Sequence, residues 1–136
     1  MRNRQLNILS KVEHAALYEI PDFDDEQRRQ YLNLTSEEQA LMRSRPTLVA
    51  QVYCTLQIAY FKAKHLFFRF DWDEVAEDVA FVLEEYFTDQ AFVPIPITKH
   101  QYYDQCGLIA KYFDYKLWST AFRVLTTFVR KSSVRL

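Results

Sequence analysis

The stretch Leu48-Val49-Ala50-Gln51-Val52-Tyr53-Cys54-Thr55-Leu56-Gln57-Ile58-Ala59-Tyr60-Phe61-Lys62-Ala63-Lys64-His65-Leu66-Phe67-Phe68 decides the fold. Its apolar residues Leu48, Val52, Leu56 and Ala59, flanked by Val49, Tyr53 and Tyr60, recur every three or four positions, the period of a helix with a broad buried face. This spacing predicts the central helix of the molecule. The window contains no acid and ends in Lys62, Lys64 and His65, with Arg69 just beyond. One segment thus anchors a core and presents cations.

The rest of the chain is consistent with a helical core. A length of 136 residues, 49% hydrophobic and 16% aromatic, suits one compact domain with a real interior. A single glycine and four prolines are too few for the many tight turns of a sandwich or barrel, so the expected class is all-α, a compact multi-helix bundle. Cys54 and Cys106 sit in apolar helical patterns without metal-ligand spacing and read as buried thiols of a reducing compartment, which predicts a cytoplasmic protein. The first residues lack a signal peptide's apolar core, and no run reaches the length of a membrane span.

Capping signatures place the helices. Ser10 with Glu13 opens one from Lys11 to about Tyr18 or Glu19, Asp24 with Gln27 one through Tyr31 or Leu32, and Thr35 with Glu38 one to about Arg43. Thr47 caps the central helix, and Asp71 with Glu74 opens a helix whose stripe is Val75, Val79, Val82, Leu83 and Tyr86. Its other residues Glu74, Glu77, Asp78, Glu84 and Glu85 read as a solvated face, with pairing to a basic band of the same fold as the alternative. The segment Ala91-Phe92-Val93-Pro94-Ile95-Pro96-Ile97 reads as an extended connector across the core, because its prolines exclude a central strand. Thr98 with Gln101 opens a helix from Lys99 to about Phe113 that contains Gly107, placed where another helix would pass closely. A turn at Asp114-Tyr115-Lys116 then leads to a last helix burying Trp118, Ala121, Phe122, Leu125, Phe128 and Val129.

A formal charge of −1 gives no global attraction to nucleic acid or membrane, but the charge is banded. Five cations and no acid lie between Gln39 and Phe70, eight acids and no cation between Asp71 and Asp89, and seven cations against two acids from Gln90 onward. Each band reads equally as the solvated face of its own helix or as part of a basic surface. Arg43 and Arg45 stand at the entrance of the central helix, where the helix dipole adds to their field and suits phosphate. They also read as solvated loop residues or partners of Glu37 and Glu38.

The three histidines are isolated, there is no HExxH or CxxC motif, and one glycine cannot build a phosphate loop. No catalysis, metal or cofactor is expected. The pair of helices around Asp114 to Lys116 reads as helix-turn-helix-like, with Thr120, Arg123, Thr127, Arg130 and Lys131 combining short hydroxyls for base edges and long cations for phosphates. Helix pairs with a basic face are also common in proteins that never touch DNA.

The chain resembles the N-terminal region of replicative DDE transposases of the Tn-three class. The resemblance lies in Ile8-Leu9-Ser10 followed by a short helix and Ile20-Pro21, in Arg43-Ser44-Arg45-Pro46 before a long helix, in Tyr60-Phe61-Lys62-Ala63, and in the His100 helix ending Phe113-Asp114-Tyr115-Lys116-Leu117-Trp118. It extends from Ile8 to Trp118 and departs at Asp114, where the family often has glycine. It implies a helical module of a far longer bacterial transposase, binding double-stranded terminal inverted repeats of the transposon in the nucleoid, with the catalytic acids in a distant domain. The expected DNA contacts are Arg43, Arg45, Lys62, Lys64, Lys99, Lys116, Arg123, Thr127, Arg130 and Lys131. The competing expectation is a helical interaction module whose acidic 71–89 helix or aromatic surface docks another transposase domain or a second copy.

Overall fold

The computed structural model describes residues 19–129, and their side chains over residues 19–114. Within that range five helices and no strand occur: α1 (Asp25–Tyr31), α2 (Ser36–Arg43), α3 (Leu48–Lys64), α4 (Ala76–Tyr86) and α5 (Lys99–Val129), with a 3-10 turn over Trp72–Val75 ahead of α4. The expected all-α class is thus observed. The helix expected from Lys11 lies outside the described residues. The chain divides into two compact units, Met1–Tyr102 and Tyr103–Leu136.

Local chemistry sets the helix starts. The Asp24 carboxylate accepts from the Gln27 amide at 2.8 Å while the Gln27 side chain accepts from the Asp24 amide at 2.9 Å. Thr35 and Glu38 make the same reciprocal pair at the start of α2, and Thr98 and Gln101 at the start of α5. Each box satisfies two amides that a bare helix end would leave unbonded. Thr47 caps α3 by accepting from the Ala50 amide at 3.1 Å.

Helix α3 is the axis of the first unit and contacts α1, α2 and α4. Every residue from Val52 to Tyr60 is buried, so the helix is enclosed on all sides rather than along one stripe. Its interior polar groups are satisfied: Gln57 donates to the Phe68 carbonyl (2.8 Å) and accepts from the Phe68 amide (2.9 Å), and Thr55 donates to the Gln51 carbonyl. The Gln57 pair and the Tyr53 hydroxyl, which accepts from the Phe70 amide, hold the returning segment 66–70 against the helix. That return begins at His65, whose left-handed backbone (φ 58°) ends α3.

Aromatic rings fill the space this return creates. Tyr53 stacks on Phe70 at 4.2 Å between centroids, Tyr60 meets Phe70 and Phe68 edge-on, and Phe23 bridges Tyr60 and Tyr31. Trp72 packs edge-on against Tyr53 and Phe92, and its indole N–H donates to the Ile95 carbonyl at 2.9 Å. This bond anchors the 91–97 connector. The connector is extended, as its prolines require, yet it is largely exposed rather than laid across the core: Val93 is 60% and Ile95 55% exposed.

Two expectations for the last third of the chain are corrected. Helix α5 runs unbroken for 31 residues through Asp114, Tyr115 and Lys116, so there is no turn and no helix-turn-helix pair there. Nothing in that tripeptide stops a helix, since it has neither proline nor glycine and leaves the i to i−4 hydrogen bonding intact. Gly107 is exposed, and a Cβ added to it would meet nothing within 4 Å, so no neighbouring helix requires its small size.

Candidate nucleic-acid interface

The candidate cations of the first unit fall at the two ends of α3 and at the start of α5. Seventeen residues separate the ends of α3 by about 25 Å, so its two basic pairs do not form one cluster.

At the entrance, Arg43 is exposed but engaged. Its guanidinium donates to the Tyr86 carbonyl at 3.2 Å and lies over the Phe87 ring at 4.8 Å, so it serves the carbonyl end of α4 rather than pairing with Glu37 or Glu38. Arg45 is half-buried and donates to Ser44 Oγ at 3.3 Å, while Gln51 reaches back to its carbonyl at 3.0 Å. The loop that bears both arginines is therefore fixed to the helix it introduces.

At the exit, Lys62 is bound to Glu38 at 3.0 Å, with side chains 22% and 5% exposed. The same Glu38 oxygen that accepts from the Thr35 amide, completing the α2 box, also accepts from Lys62. Freeing Lys62 for a phosphate would strand a buried carboxylate, so it is a poor DNA contact. Lys64 donates to the Glu19 carbonyl at 2.7 Å, and the Arg69 guanidinium lies over the Tyr102 ring at 4.8 Å. Lys99 is exposed at the first position of α5.

The strongest polar site is one that sequence reading misplaced. Asp78 is 5% exposed, not part of a solvated face. It accepts from the Tyr60 hydroxyl with one oxygen and from Arg28 Nε at 2.7 Å with the other. Arg28 also bonds Asp25 and Glu77, both at 2.9 Å, so one guanidinium ties α1 to α4 above α3. The bond to Asp78 raises the Arg28 pKa and outweighs its burial. Burial pushes the Tyr60 phenol far above its ordinary value of 10.0, and the adjacent Asp78 carboxylate adds to the shift. Tyr86 is likewise raised by burial, while its oxygen accepts from the Leu34 amide and its hydroxyl donates to the Leu32 carbonyl.

Charge divides with the two units. Residues 1–102 hold sixteen acids and eleven cations, a net of −5; residues 103–136 hold six cations and two acids, a net of +4. The side chains of Lys116, Arg123 and Thr127 lie outside those described, as do residues Arg130 and Lys131 altogether. The helical backbone nonetheless fixes the register of residues 115–129.

Among the described residues no histidine, cysteine and carboxylate groups gather as a metal site, and no helix is long and apolar enough to cross a membrane. Neither cysteine is in a disulfide; Cys54 is buried and Cys106 half-buried. A family model described as "Domain of unknown function (DUF4158)" matches residues 8–135, and the chain belongs to that family. No curated protein and no solved structure matches it.

Proposed function

We propose that this DUF4158 domain is the DNA-binding module of a Tn-three-class replicative transposase, recognising double-stranded terminal inverted repeats in the bacterial nucleoid. Strand-transfer chemistry belongs, on this reading, to a separate domain of a longer protein. The observation that carries the proposal is the separation of charge: a nearly neutral chain concentrates a net +4 in its last 34 residues. The transposase-like strings support it from the other side, because Arg43 to Pro46 lead into the central helix on which the first unit is built and Tyr60 to Ala63 lie in its last turns.

The test is binding of the chain to the terminal repeat that flanks its own coding sequence, against a shuffled duplex of equal length. Preference for the repeat, with affinity falling steeply as salt rises, is the expected result. Equal binding to both duplexes at low salt, unchanged by Arg123→Ala with Arg130→Ala, would refute it.

A second reading is favoured by one observation, the net −5 of the first unit. That unit is a helical docking module for another protein domain or a second copy, and co-purification of such a partner from cells, lost on reversing exposed acids such as Glu84 and Glu85, would establish it.

A further inference from the structure

We propose that DNA is read in the major groove by the second half of α5, along the line Lys116, Thr120, Arg123 and Thr127, as one uninterrupted helix. This rests on the DNA-binding reading above.

At about 100° per residue, these four positions fall within roughly 60° of one another, and Trp118, Phe122, Leu125 and Val129 fall in the opposite half of the helix. No acid occurs between residues 115 and 129. Followed backward, the same line passes through Ile109 and Gln105, both buried. One flank of a single helix thus changes from enclosed to cationic across Asp114.

Among the described cations of the first unit, Arg28, Arg43, Lys62, Lys64 and Arg69 are bound to carboxylates, carbonyls or rings of the protein itself, Arg29 and Lys99 are exposed on two separate helices, and the unit's net charge repels phosphate.

The dimensions and the chemistry both suit the groove. Lys116 to Thr127 spans about 16 Å, or roughly five base pairs, and a helix about 10–12 Å across enters a groove about 12 Å wide. Arg123 matches the two acceptors of a guanine edge, the threonine methyl and hydroxyl groups suit thymine and either base, and Lys116 suits phosphate.

The experiment measures binding of the full chain and its variants to the flanking terminal-repeat duplex, made with guanine or with 7-deazaguanine, which lacks the major-groove N7. Circular dichroism is used to verify that each variant keeps the wild-type helix content. Wild type is expected to lose about tenfold in affinity on the 7-deaza duplex, and Arg123→Ala about tenfold on the normal duplex with no further loss on the 7-deaza one. Lys116→Ala should lower the salt slope by about one, and Arg29→Ala should bind as wild type. Wild-type indifference to 7-deazaguanine overturns the groove assignment. Wild-type binding by both Arg123→Ala and Lys116→Ala, with loss in Arg45→Ala or Lys99→Ala, overturns the inference and leaves the DNA reading standing. No preference for the repeat over a shuffled duplex overturns both.

Discussion

Asp78 is the residue on which most depends. With Arg28 and Tyr60 it forms a buried contact linking three helices, so Asp78→Ala leaves a guanidinium and a hydroxyl without their main partner. The expected loss is about 3 kcal/mol in chemical denaturation. Glu77→Ala removes an exposed partner of the same arginine and should cost less than about 1 kcal/mol. Equal effects would mean that the buried contact is no stronger than a surface pair. Tyr60 makes the pH dependence testable. Its folded pKa is raised, so its contribution is complete below the ordinary value of 10.0 and is lost as alkalinity ionises the phenol of the unfolded chain. Tyr60→Phe should therefore be less stable at neutral pH but lose stability less steeply above pH 10. A slope matching wild type would contradict this. The burial of Asp78 was partly legible: on a helical wheel it lies at the edge of the arc set by Val75, Val79 and Val82, so a solvated face was not the only reading. Its arginine, 50 residues earlier, left no local signal.

At the scale of elements, boundaries written in local chemistry were readable and those set by tertiary packing were not. Asp24 with Gln27, Thr35 with Glu38, and Thr98 with Gln101 all cap helices where their spacing indicates. Residues 114–116 were read as a turn, yet the same tripeptide fits either a turn or a continuing helix, and α5 takes the second. Proline separates them. Asp114→Pro would be tolerated in a turn, whereas in the continuous helix it should cost about 3 kcal/mol and lower the helical ellipticity. An unchanged melting profile would restore the turn. Gly107→Ala, at an exposed helical site with open space around a new Cβ, should stabilise the protein by about 0.5–1 kcal/mol, read as a higher thermal midpoint. Destabilisation would reveal a close neighbour at that site after all.

For the whole molecule, the sum of charge conceals its distribution. A protein with a sequence pI of about 6.3 and uniform charge would pass through a cation exchanger at pH 7. With −5 in one unit and +4 in the other, this one is expected to be retained at low salt on both cation and anion exchangers, and Lys116→Ala with Arg123→Ala should weaken only the former. Flow-through on the cation exchanger would show that the positive charge is not presented together. The banding was legible in the sequence; which cations are tied to protein groups was not, because Lys62 meets Glu38 and Arg43 meets Tyr86 only through the fold. The bond from Trp72 to the connector has a spectroscopic use. The chain has two tryptophans, Trp72 in the first unit and Trp118 in the second, so Trp118→Phe leaves an indole whose emission reports on release of the connector, and Trp72→Phe leaves one that reports from the long helix. The two units can thus be followed separately by intrinsic fluorescence, without an added dye.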